Sequence, residues 1–217
     1  MIEHHPSHDL LTEFAAGTLD IGQAIAVSAH LHFCTQCQQI VQAMEQTGGI
    51  MLEELPARPL SDNSFDQLMQ AIDQQQPCVH IQDQGSKPTS NIPHVVQSLT
   101  QSNPPKWRKI TGSLQAAPLV AGQSQYEISL HKIQAGDKSP EHDHGGIEIT
   151  IVLQGSFSDK YGIYHEGDFL VKQPGDIHQP AASHHEDCLC LSIQEAPLKL
   201  TSFFGRFMNP FIRLHAA

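Results

Sequence analysis

Fifteen histidines stand in this chain of 217 residues, against 12 lysines and arginines together, and two groups of them have the spacing of metal ligands. The first is His30-Leu-His-Phe-Cys34-Thr-Gln-Cys37, an H-x3-C-x2-C run. Its two thiols straddle the expected start of a helix, and its imidazole lies four residues upstream on the end of the preceding one. The positive end of a helix dipole favours the thiolate form that binds metal. Zinc takes four tetrahedral nitrogen or sulfur ligands, so one more is required. His5 is the choice, because an N-terminal helix would pack beside the pair; His4 and His8 are its rivals. Four protein ligands leave no open position, so such a site is structural. An isolated C-x2-C could equally be a redox pair or two buried thiols.

The second group is Gly136-Asp-Lys-Ser-Pro-Glu-His142-Asp-His144-Gly-Gly-Ile-Glu148, with Gly155 after six further residues. In a strand, residues two apart share a side, so His142 and His144 can both face an interior. Glu148 lies at an even offset and can reach the same point. Imidazoles joined by a carboxylate suit Zn, Mn, Fe or Ni.

The elements that position these groups change period along the chain. Over the first ~75 residues the pattern is helical. Leu10, Leu11, Phe14 and Ala15 form a stripe, with Ser7 as N-cap and Gly17 as stop. Asp20 caps a second helix bearing Ile21, Ala24, Ile25, Ser28 and Leu31. A third begins near Cys34 and carries Ile40, Val41 and Met44 until Gly48-Gly49 breaks it. A fourth starts near Asp62 or Ser64, with Phe65, Leu68, Met69 and Ile72 on one face. Four short helices make a thin core that a metal would reinforce. From Gln74 to Pro105 the composition turns to Gln, Ser, Asn, Pro and Gly, which predicts a flexible linker with one short strand near Val95-Val96. Thereafter Tyr126–Ile133, Ile147–Leu153, Tyr161–Tyr164, Phe169–Lys172 and Cys188–Ile193 alternate as strands, separated by turn residues. Short strands at this spacing predict a sandwich or jelly-roll barrel. Cys188 and Cys190 share one side of the last strand and are read as buried core thiols; facing inward, they would lie near the metal.

The charge of -11 argues against binding nucleic acid or an anionic membrane surface, and favours a protein partner. Five cysteines are too few and too uneven for a disulfide scaffold. Met1 to Leu11 does not read as a signal peptide, and no run approaches a membrane span. The expected location is a reducing cytoplasm.

The opening His4-His5-Pro-Ser, the Ala15-Ala16-Gly17-Thr-Leu19 turn and the H-x3-C-x2-C run resemble the zinc-binding anti-sigma factors, specifically the ChrR type. The resemblance implies His5, His30, Cys34 and Cys37 as zinc ligands. The second cluster is similar to the first cupin motif, G-x5-H-x-H-x3-E-x6-G, at every spacing. Gly167 and Gly175-Asp-Ile-His178 resemble the second motif, which implies His178 as a third imidazole beside His142, His144 and Glu148. Two departures occur: Gln173 stands where proline is usual, and Ala182 replaces an asparagine. The implied fold is α+β and multidomain: a helical zinc domain over 1–80, a linker over 81–104, an all-β cupin barrel over 105–200, and a tail over 201–217 packing on the cupin. The implied function is sequestration of an extracytoplasmic-function (group IV) sigma factor by the zinc domain. Release would follow when the cupin meets oxidative stress such as singlet oxygen or organic peroxide. The cupin metal is expected to be divalent, zinc before Fe, Mn or Ni, and cupins often pair as homodimers. The rival reading is a metal-dependent cupin dioxygenase acting on a small molecule, and a third is a plain binding module.

Overall fold

The computed structural model describes residues 2–74, 91–101, 104–119, 126–196 and 198–201. An extended N-terminal segment leads into α1 (His8–Ala15), where Ser7 accepts a hydrogen bond from the Leu10 amide. Asp20 caps α2 (Ile21–Phe33) in the same way, through the Gln23 amide. Cys34 ends α2 and begins α3 (Thr35–Glu53), its sulfur accepting from the Cys37 amide. One residue therefore serves both helix ends.

Three expectations for the helical part need correction. Gly48-Gly49 does not end α3, which runs on to Glu53. Each glycine costs about 1 kcal/mol relative to alanine, too little to stop a helix already nucleated by its packed first half. Helix α4 (Ser64–Gln74) starts where expected, but it does not complete a four-helix core: Phe65 and Leu68 are 70 % and 57 % exposed. The strand expected at Val95-Val96 is instead helix α5 (His94–Gln101). Val96 is buried, with Val95 and Leu99 packed beside it, and the helix lies against α2. Helical spacing puts all three on one face, and that packing outweighs the strand preference of valine.

The remainder is β-structure. Strands β1 (Arg108–Lys109), β2 (Leu114–Leu119), β3 (Glu127–Ile133), β4 (His142–His144), β5 (Glu148–Gln154) and β6 (Ser156–Asp159) are followed by β7 (Gly162–His165), β8 (Phe169–Lys172), β9 (Ala181–Ala182), β10 (Cys188–Gln194) and β11 (Leu198–Leu200). A six-stranded sheet runs β1-β2-β3-β10-β5-β8; β7-β6-β9 and β11-β4 form the smaller sheets, all antiparallel. Gly155 takes φ 74° at the β5–β6 turn, where a Cβ would meet the Asp187 carbonyl at 2.4 Å, so only glycine fits.

The helices do not stand apart from the barrel. Leu11, Ile25, Val27, Val41 and Val96 belong to one apolar cluster with Ile149, Ile151, Leu191 and Ile193 of the large sheet. Helix α2 lies on β5 and β10. At its first turn a Cβ on Gly22 would come within 3.1 Å of Ile193 and Tyr126. Burying an Ile or Val side chain of this kind contributes about 1.5–3 kcal/mol, so the contact between the two parts is stabilising in its own right. Of the expected linker, 91–101 contains α5 and residues 81–90 lie outside the described residues, as do Cys78, His80 and the tail beyond Thr201. Among the described residues no helix is long and apolar enough to cross a membrane.

Candidate metal centres

The N-terminal group assembles from three elements. His5 lies on the extended segment before α1 rather than on a helix, His30 on the last turn of α2, Cys34 at the junction, and Cys37 on the first turn of α3. Their ligand atoms all lie within 4.8 Å of one another. His5 Nδ1 is 3.4 Å from both sulfurs, and His30 Nε2 is 3.3 Å from Cys37 Sγ. Tetrahedral zinc with bonds of about 2.0–2.3 Å places neighbouring ligands roughly 3.3–3.8 Å apart, so these contacts fit a single ion. Of the two rivals to His5, His4 turns its ring onto Tyr164 with centroids 5.0 Å apart, and His8 is exposed on α1.

The protonation states follow from the hydrogen bonds. A carbonyl can only accept, so the 2.7 Å contact of His30 Nδ1 with Gly167 O places the proton on Nδ1 and leaves the Nε2 lone pair toward the cysteines. Burial pulls His30 down to about 4, so it is neutral at physiological pH. Burial, then the hydrogen bond and charge of Cys34, push the Cys37 thiol up to about 12. Burial thus opposes the thiolate form expected from the helix dipole. A bound cation would reverse that balance, because a coordinating thiol is deprotonated outright.

In the β-structure, β4 carries His142 and His144, β5 opens with Glu148, and His178 bridges back to His142 through reciprocal backbone hydrogen bonds of 3.0 Å. All four side chains are buried and their ligand atoms again lie within 4.8 Å. His142 Nδ1 donates to Pro140 O at 2.9 Å, and His178 Nδ1 to Asp159 Oδ2 at 2.8 Å. Both Nε2 lone pairs therefore face inward, 3.0 Å apart. Two lone pairs at that distance repel unless a cation lies between them. Glu148 Oε1 is held by Ser192 at 2.6 Å and Gln194 at 2.8 Å, while Oε2 faces His144 Nδ1 at 2.9 Å. That His144 contact is close enough for an ion pair, but neither ring nitrogen makes a well-aligned hydrogen bond. An orphaned buried imidazole is what a missing cation would explain. Burial lowers His142, and lowers His178 to about 4. Burial opposes ionisation of Glu148, but the close His144 contact and the surrounding imidazoles prevail, holding its carboxyl well below the usual range. A lowered His142 and a lowered His178 beside an ionised carboxylate are states that suit metal binding.

A cavity of about 50 Å³ opens beside this group, lined among others by His131, Thr150, Phe157 and Cys190. Cys188 and Cys190 do face inward, both buried, with sulfurs 3.6 Å apart. The structure brings together both groups of residues expected from the sequence, whereas their outer partners were not among those expectations. Ser192 and Gln194 carried a usable signal, since they continue the inward alternation from Cys190 along β10. Asp159 carried none, because it reaches His178 only across the barrel.

The fold and these two groups define a cupin-like barrel joined to a helical module with its own His/Cys cluster that could hold a metal. The comparisons with known proteins narrow that class. A family model described as the ChrR cupin-like domain matches residues 96–197. The anti-sigma-E factor ChrR of Cereibacter sphaeroides is 33 % identical over 98 % of this chain and 99 % of its own length. The crystal structure of Rhodobacter sphaeroides SigE in complex with the anti-sigma ChrR matches at a TM-score of 0.74 and 29 % identity, covering 89 % of this chain and 99 % of that one. The chain belongs to the ChrR family of anti-sigma factors. It is a regulatory protein, and the dioxygenase reading of its cupin gives way to that role.

Proposed function

We propose that this chain sequesters an extracytoplasmic-function sigma factor through its helical module, which zinc holds together at His5, His30, Cys34 and Cys37. The observation that carries the reading is the unpartnered apolar surface beside that module. On α4, Phe65, Leu68, Met69 and Ile72 are 70 %, 57 %, 42 % and 52 % exposed, and Ile50, Met51, Leu52 and Leu55 are exposed at the end of α3 and just after it. Exposed apolar side chains recurring along one helix face mark an interaction site, and the solved relative was crystallised with SigE. Zinc ties α2, α3 and the N-terminal segment into one unit, so its removal would loosen the helix that leads into the exposed surface. The cupin, at His142, His144, Glu148 and His178, would hold a second divalent ion, zinc first. An oxidative signal arriving there would release the sigma factor; the support is that Cys190 lines the cavity beside the metal ligands. An oxidant entering the cavity meets both a metal site and a thiol.

The test is co-expression of the full-length chain with each extracytoplasmic-function sigma factor of its own organism, followed by size-exclusion chromatography with and without a zinc chelator. A one-to-one complex with one of them, lost on chelation and in the Cys34→Ser, Cys37→Ser variant, is expected. A zinc-loaded, folded chain that forms no complex with any of them would overturn the proposal.

A further inference from the structure

The cupin turn Glu166-Gly167-Asp168, between β7 and β8, touches two of the four N-terminal ligand residues or their immediate neighbours, although no ligand lies on it. Gly167 O accepts the Nδ1 proton of His30 at 2.7 Å. Asp168 is 1 % exposed; its Oδ1 accepts from the amides of Glu3 at 2.9 Å and His4 at 3.1 Å, and its Oδ2 from the amide of His165 at 2.8 Å. The Phe169 amide donates to His4 O at 3.0 Å, which pins the chain directly before His5. Gly167 itself has φ 90°, and a Cβ there would come within 2.7 Å of Ile2 and 2.8 Å of Phe33. The turn is thus wedged between the N-terminal segment and the end of α2. Burying a carboxylate is costly unless its oxygens are satisfied, and here three backbone N–H donors converge on it.

We infer that this turn is an outer-sphere part of the N-terminal metal centre: Gly167 orients His30, Asp168 positions the backbone that presents His5, and the grip on the N-terminal metal is thereby set from the cupin. The inference rests on the reading of His5, His30, Cys34 and Cys37 as ligands of one ion. Partners of this kind fix the tautomer and orientation of a metal-bound imidazole, and losing one typically costs 10–100-fold in metal affinity. The same hairpin also reaches the other centre. Asp159 on β6 holds His178, and Tyr164 on β7 donates to Asp159 at 3.3 Å while its ring meets His4. Residues 159–168 therefore touch the surroundings of both sites, and movement of this segment is movement at each.

Cobalt substitution in the full-length protein separates the two centres, because a thiolate-to-cobalt charge-transfer band arises only from the site with cysteine ligands. Asp168→Asn and Gly167→Ala should each weaken thiolate-bound cobalt by about 10–100-fold in competition with a chelator, with cobalt at the sulfur-free cupin site held as in the wild type. Gly22→Ala, which crowds α2 against the sheet away from every ligand, serves as the comparison for general destabilisation. If it loosens the thiolate-bound cobalt as much as the turn variants do at equal loss of stability, the turn is ordinary packing and the inference fails. Amide exchange in the unmutated protein provides a measurement independent of variant folding. Stripping the N-terminal metal should deprotect the amides of Glu3, His4, His165 and Phe169 together, and unchanged exchange there would overturn the inference. A wild-type protein that shows no thiolate–cobalt band would sink the ligand reading itself. A normal band with both turn variants binding as tightly as wild type would sink only the role of the turn.

Discussion

At the scale of single residues, the proposed ligands of both sites are aimed by groups that would not themselves touch a metal. Glu148 is aimed by two hydrogen bonds to Oε1, from Ser192 and Gln194, and removing one leaves a buried carboxylate oxygen under-satisfied. Ser192→Ala should reduce metal affinity at the cupin site about 10–100-fold and leave the thiolate-ligated site unchanged, as measured by competition titration with a chromogenic chelator. Equal loss at both sites would show that the effect is global unfolding. Asp159 has the corresponding role for His178, with Lys172 Nζ 3.4 Å from the same carboxylate oxygen. Burial works against ionisation of Asp159, but the hydrogen bonds to His178 and the Tyr161 amide, then the charge of Lys172, hold its carboxyl below the usual range.

At the scale of elements, α3 and α4 divide one sequence pattern between two purposes. The first half of α3 buries Cys37 and Val41, whereas its end, together with α4, leaves its large apolar side chains exposed. Leu68→Glu and Ile72→Glu should therefore change stability by no more than ~0.5 kcal/mol while abolishing complex formation with the sigma factor, as read by thermal melting beside size-exclusion chromatography. Retained complex formation would remove α4 from the binding surface. Gly48 and Gly49 in α3 have nothing within 4 Å of an added Cβ. Replacing either with alanine should stabilise that stretch by about 0.5–1 kcal/mol, visible as slower amide exchange from residue 46 to residue 53. No slowing would mean that this stretch is not helical in solution.

For the whole molecule, the decisive feature is the shared core. Helix α2 packs on β5 and β10, and the apolar cluster passes from Leu11 and Val41 to Ile151 and Leu191 without a break. Denaturant unfolding of the metal-loaded chain should accordingly show one transition, with helical circular dichroism and the fluorescence of Trp107 changing together. Two separated transitions would mean that the halves behave as independent domains. Gly22 marks the closest approach, so Gly22→Val should cost about 1–3 kcal/mol through overpacking and shift that transition as a unit. Helices and barrel thus share one packed interior rather than meeting only through a linker.

Local chemistry made much of this legible from sequence. The spacing His30, Cys34, Cys37 follows the geometry of one helix end meeting another, and the pair His142, His144 follows the two-residue repeat of a strand. Ser7 and Asp20 announced their helices because capping is a local hydrogen bond, and five of the strands showed in their alternation. Other features depended on contacts distant in sequence. Val95-Val96 forms a helix because α2 offers a surface for it, whereas the apolar face of α4 stays exposed although its spacing reads like that of a core helix. His5 stands apart from His4 only because Tyr164, some 160 residues away, receives the His4 ring. The residues of the chain determined what could bind metal; the packing of helices on the barrel decided which carboxylates and carbonyls aim those ligands, because hydrogen bonds such as His30 to Gly167 leave no periodic trace in sequence.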